Sequence, residues 1–165
     1  MVEDVKTAAA VGDDIPPCLI FIDKEGRWFH KGVEMIHRET IRLFYRHMSL
    51  DPQGRYIITL DGDRCYVEVE DTPFIVRRTR FMESAQADRS GYLLTLNDGT
   101  EEKLSPDTLI VGVDNILYCK VKGHAFPARF DRQAYYQLAQ YIEEREGGYV
   151  LPLNGKEYRI RNKGE

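Results

Sequence analysis

The chain has 165 residues, 42% of them hydrophobic and 30% charged, enough for one domain or two small lobes with a real core. A formal charge of -4 argues against general affinity for nucleic acid or for an anionic membrane surface. Cys18, Cys65 and Cys119 are odd in number and far apart, a spacing that does not fit the close ligand pairs of a zinc site.

In chain order, residues 1–17 carry no basic stretch before an apolar run, and so do not read as a secretory signal. They read as a disordered arm ended by Pro16 and Pro17. Strand signals follow over 19–22 and 27–30, on either side of the turn composition Asp23-Lys24-Glu25-Gly26. Lys31 and Gly32 make a second turn. Ile41, Phe44, Tyr45 and Met48 then recur at helical spacing, which predicts a first helix with one apolar face. Pro52 and Gly54 stop it.

The stretch 54–62 alternates polar and apolar residues between a glycine and an Asp61-Gly62 turn. The chain writes this pattern again over 91–99 and 148–155. Each copy predicts a hairpin strand. Asp71-Thr72-Pro73 interrupts the pairing before a strand-like run over 74–81, whose Arg77, Arg78 and Arg80 are expected to face Glu68 and Glu70 in a hairpin. Strands over 109–113 and 116–121 flank Asp114 and Asn115. Lys122-Gly123 then repeats Lys31-Gly32, and Tyr135, Leu138, Ala139 and Ile142 repeat the first helix face. Pro152 predicts an edge strand.

The fold expected from this is α+β and internally duplicated: two lobes, 18–82 and 83–165, each a twisted antiparallel sheet with one packed helix. No apolar run reaches the ~20 residues of a membrane helix, so a cytoplasmic protein with free thiols is expected.

No nucleophile elbow, phosphate loop, dinucleotide fingerprint or Cys–His pattern occurs, and His30, His37, His47 and His124 lack metal-ligand spacing. No catalytic residue, metal or cofactor is therefore assigned. Arg38 and Arg132 stand at the start of the two helices, where the helix dipole disfavours a cation. They bind an anion or bridge to a carboxylate such as Glu70 or Asp131. Asp71 is a fixed acceptor for a ligand or the stabiliser of its own bend. Trp28, the one tryptophan, is core or part of a site. The expected ligand-binding set is Trp28, His30, Arg38, Asp71 and Arg132, near the junction of the lobes.

Asp23, Gly26 and Trp28, then Gly32, Ile36, Arg38, Leu43 and Phe44, then Gly54 and Tyr56 form one pattern, continued by Val69-Glu70-Asp71-Thr72-Pro73-Phe74 and by the helix entry over 129–138. This pattern resembles the bacterial family named for domain of unknown function 1285 (DUF1285). The resemblance implies a two-lobed repeated α+β fold with no established activity and a suspected signalling role. The resulting expectation is a non-catalytic module that binds a small ligand or a protein, in signalling or regulation. The alternatives are an enzyme using Asp71, His30 or His124 with Arg38, and, third, a weak nucleic-acid binder.

Overall fold

The computed structural model describes residues 15–86 and 88–165. It divides into two units, and each is described by itself: the described residues up to Phe21 with Trp28–Glu68, and Ile22–Arg27 with Val69–Glu165. The expected arm lies almost wholly outside the described residues. The chain passes from the first unit to the second at Glu68, earlier than the expected boundary after residue 82, because the strand that follows belongs to the second sheet.

The first unit consists of β1 (Pro17–Ile22), β2 (Trp28–His30), β3 (Val33–Glu34), α1 (Arg38–Arg46), β4 (Met48–Leu50), β5 (Tyr56–Leu60) and β6 (Asp63–Val69). Its sheet runs β3-β2-β1-β6-β5-β4. Two tight turns set the register. Lys31 and Gly32 have φ of 51° and 82°, and Asp61 and Gly62 have 51° and 86°. Both pairs thus adopt the primed turn whose twist matches a hairpin, pairing His30 with Val33 and Leu60 with Asp63. The helix begins at His37, whose Nδ1 accepts from the Thr40 backbone N–H at 3.2 Å, satisfying one of the donors that a helix start leaves open. Trp28 packs between Phe44 and Tyr45, with its Nε1 donating to the Tyr45 hydroxyl at 3.0 Å.

The second unit holds β7 (Phe74–Met82), β8 (Gly91–Leu96), β9 (Glu101–Lys103), β10 (Ile110–Val111), β11 (Leu117–Val121) and β12 (Phe126–Phe130). After these come α2 (Arg132–Ala139), β13 (Glu143–Arg145), β14 (Gly148–Leu153) and β15 (Lys156–Asn162). The sheet order is β13-β14-β15-β10-β11-β12-β7-β8-β9. It curls far enough for the Tyr92 hydroxyl on β8 to reach the Pro152 carbonyl on β14 at 3.0 Å. Ala134 and Leu138 on α2 are fully buried, and Asp131 caps the helix by accepting from the Ala134 N–H at 2.8 Å.

Among the described residues each unit thus carries one α-helix and one sheet, and the fold is mixed α and β. The sheets are not purely antiparallel, as had been expected. β12 runs parallel to β7 and β10 to β15. In the six-stranded sheet, Tyr66 N donates to Pro16 O and Glu70 N to Ile22 O; both residue numbers rise together, so β1 and β6 are parallel. The connection from β1 to β6 contains a helix and two hairpins, long enough for the crossover that a parallel pair requires.

Three further expectations are corrected. β6 and β7 do not form a hairpin, since they lie in different sheets. Thr72 and Pro73 are buried at the break, where the Thr72 hydroxyl donates to Phe74 O at 2.7 Å, and Arg77 contacts Asp131 at 3.6 Å instead of Glu68 or Glu70. Pro152 is not on an edge strand. β13 pairs with β14 only as far as Val150, so proline falls beyond that ladder, where no donor is needed. Finally, Cys18 and Cys65 are not free thiols. They sit on the adjacent strands β1 and β6 and form a disulfide across a Cα–Cα distance of 5.0 Å. Cys119 is free and buried.

Candidate ligand pocket in the first unit

Strand alternation puts Cys18 and Ile20 of β1 on one face and turns Leu19 and Phe21 outward. Ile58 and Leu60 of β5 share that inner face. Helix α1 covers part of it, presenting Thr40 and Phe44, four residues apart on one helix side. The remainder is an open pocket of about 600 Å³, within the ~300–1,000 Å³ usual for small-molecule sites. Its wall is formed by the disulfide, Ile20, Met35, Phe44, Ile58 and Leu60. The exposed residues His30, Asp63 and Arg64 contribute polar groups. The Thr40 hydroxyl is already engaged with His37 Nδ1 at 2.8 Å. The interior therefore suits an apolar body, and the exposed polar residues suit one polar end.

Of the residues expected to bind a ligand, Trp28, His30 and Arg38 lie in the first unit and Asp71 and Arg132 in the second. His30 lines the pocket. Trp28 is 1% exposed and stands behind the pocket, stacked on its wall residue Phe44. Arg38 is exposed at the first turn of α1 and makes no ion pair with a described residue. Arg132 is likewise exposed at the start of α2.

Asp71 belongs to a cluster inside the second unit. Its Oδ2 accepts from the Tyr118 hydroxyl at 2.7 Å and from Arg129 at 3.1 Å. Burial and the Asp71 carboxylate together push the Tyr118 hydroxyl up to about 12. A second polar cluster joins Lys122 to Asp98 and to Thr100, both at 2.8 Å, with the ammonium 5.4 Å from the centre of the Phe74 ring. Burial opposes the Asp98 charge, but the bonds from Lys122 and Thr100 outweigh it and hold the carboxyl below its ordinary value. The first cluster ties the bend before β7 to β11 and β12, and the second ties the turn after β11 to the turn between β8 and β9.

Sequence reasoning missed the pocket itself. The apolar spacing of α1 marked Phe44, yet a helix face gives no sign of how much of it the sheet leaves uncovered. The pairing of Cys18 with Cys65 is equally silent, since 47 residues separate them. Among the described residues, no group of three or more His, Cys, Asp and Glu is placed to hold a metal ion. No helix among them is long and apolar enough to cross a membrane.

No family model and no curated protein matches the chain, but two solved structures do. One is a DUF1285 family protein from Silicibacter pomeroyi DSS-3, with a TM-score of 0.74 and 17% identity over 88% of this chain and 80% of that one. The other is a DUF1285 family protein from Shewanella baltica OS155, with a TM-score of 0.60 and 17% identity over 74% of this chain and 91% of that one. The fold is DUF1285-like.

Proposed function

We propose that this chain, folded as the DUF1285 family proteins are, is a non-catalytic binding module that takes a small, mainly apolar molecule with one polar end. The observation that carries this reading is the 600 Å³ pocket of the first unit, with its apolar wall and the exposed His30 and Arg64. A regulatory role in the cytoplasm belongs to the same proposal. In that compartment a disulfide is uncommon and usually transient.

We also read the chain as an internal duplication. What supports this is connectivity: β1–β3, α1 and β4–β6 take the sheet order β3-β2-β1-β6-β5-β4. In the second unit, β10–β12, α2 and β13–β15 take the order β12-β11-β10-β15-β14-β13. In both sets the first and last strands are parallel neighbours. The second unit adds β7–β9 beside β12.

The test is titration with the apolar dye 1-anilinonaphthalene-8-sulfonate, followed by competition from medium-chain carboxylates, alcohols and amines. Saturable binding at one site is expected, with displacement by at least one head-group series. Leu60→Trp, which fills the pocket from its wall, should weaken dye binding at least about tenfold, a change of ~1.4 kcal/mol. Unchanged binding in a folded Leu60→Trp variant would remove the pocket from the proposal.

A further inference from the structure

We propose that the Cys18–Cys65 pair is a redox control on this pocket, opened by thiol–disulfide exchange with a small dithiol. The inference rests on reading the pocket as a ligand site. Both cysteines line the pocket and both are partly exposed, so a thiolate can reach their sulfurs by the route the ligand takes. Access of this kind is what governs exchange.

The bond also sits at a weak point of the sheet. It joins β1 to β6, the parallel joint of the first sheet. Between the bonds Tyr66 N to Pro16 O and Glu70 N to Ile22 O, β1 spends two residues more than β6. Leu19 lies in that interval with φ of 63°, a left-handed conformation that a leucine adopts only where the surroundings impose it. β1 is thus irregular directly beside the disulfide, at the residue after Cys18. Cys119 does not compete for either sulfur: it is 2% exposed, and burial pushes its thiol far up, which keeps it protonated and unreactive.

The exchange balances within the two partners. A thiolate of the reductant attacks one protein sulfur, and the S–S bond breaks with its electron pair leaving on the other sulfur. The second reductant thiol then displaces the mixed disulfide. The protein gains two electrons and two protons, and the dithiol becomes a disulfide. Once opened, the two sulfurs retreat to non-bonded contact and β1 is released from β6 at the irregular step. Cys18 and Ile20 are two wall residues of the pocket, so the oxidised state holds the wall preformed and the reduced state does not. Preformed sites bind more tightly.

The experiment titrates 1-anilinonaphthalene-8-sulfonate into the full chain before and after dithiothreitol, with thiols counted in denaturant. One thiol is expected before reduction and three after it. Reduction should raise the dye Kd at least about tenfold and reoxidation should restore it. The double variant Cys18→Ser/Cys65→Ser should show the reduced value with or without dithiothreitol. Cys18→Val/Cys65→Ala, checked by circular dichroism, serves the same purpose if the serines impair folding. An unchanged Kd once three thiols are counted overturns the redox control and leaves the pocket reading standing. Three thiols without reductant also overturn it. No saturable binding in either state overturns the pocket reading and the control with it.

Discussion

Tyr118 and Asp71 show at the residue scale how the bend after β6 is held. Asp71 accepts from Tyr118 and Arg129, 47 and 58 residues away, whereas the bond within the bend itself runs from the Thr72 hydroxyl to Phe74 O. The raised Tyr118 value, about 12 against ~10 unfolded, is a stability statement with a definite sign. The folded state holds this proton more tightly, so the contribution is complete below pH ~10 and is lost as pH rises towards 12. Burial also raises the Tyr92 hydroxyl, so spectrophotometric titration should show a late-ionising tyrosine fraction, and Asp71→Asn should bring the midpoint of the Tyr118 part of it down. Burial, the larger cause, remains in that variant, so the midpoint should stay above ~10. A midpoint that does not move would mean the carboxylate contributes nothing. Sequence reading found Asp71 because a carboxylate before Thr-Pro marks a bend, but Tyr118 lies 47 residues away. Only the pairing of β11 with β12, and of β12 with β7, brings the two together.

At the element scale the two helices were legible and their burial was not. The apolar spacing of α1 and α2 and the entry at Asp131 follow from side-chain period and capping chemistry, but Met48 and Ile142, expected on the two helix faces, lie beyond them: α1 ends at Arg46, short of the expected stop at Pro52, and Met48 opens β4. That logic treats Phe44 and Leu138 as equivalent core positions. In the structure Leu138 is 0% exposed, whereas Phe44 is only half-buried because it faces the pocket. Leu138 is covered by the nine-stranded sheet, whereas the six-stranded sheet leaves Phe44 on an open side of α1. Leu138→Ala should therefore cost about 2–5 kcal/mol, while Phe44→Ala should fall below the ~3 kcal/mol lower limit for a fully buried ring. Urea melts of the two variants check this. Equal losses would mean that Phe44 is packed as tightly as Leu138 and that the pocket is closed. The tight turns were the most legible elements of all. Asp61-Gly62 and Asn154-Gly155 both take the positive φ that their residue types favour. Parallel joints such as β10–β15 were illegible, because nothing in a strand's own alternation says which distant strand it will lie beside.

For the whole molecule, the order of the chain and the order of the units do not coincide. Residues 22–27, between two stretches of the first unit, belong to the second. Ile22 is 0% exposed, and its carbonyl accepts from Glu70 N at 2.9 Å. Lys24 N donates to the Glu70 carboxylate at 2.9 Å, and Arg77 donates to the Glu25 carbonyl at 2.8 Å. Gly26 lies so close to Ile75 and Asn97 that a Cβ there would stand 2.6 and 2.8 Å from their side chains, and its φ of 82° disfavours any other residue. The second unit is thus completed by a turn the chain makes about fifty residues before β7 begins. A cut between 68 and 69 should leave fragment 69–165 without that turn, less stable than the same unit in the full chain. Loss of the Ile22 side chain alone, tested as Ile22→Ala, should cost about 2–5 kcal/mol. The fragment should lose at least as much, read as the urea midpoint of its circular dichroism. Gly26→Ala in the full chain isolates the close approach, since it keeps Ile22 and adds only a methyl group against Ile75 and Asn97 at an unfavourable φ. It should destabilise by more than the ~1 kcal/mol typical of alanine forced to positive φ. A fragment 69–165 that melts with the full chain, or a Gly26→Ala variant that melts with the parent, would show that the turn rests on the second unit without supporting it.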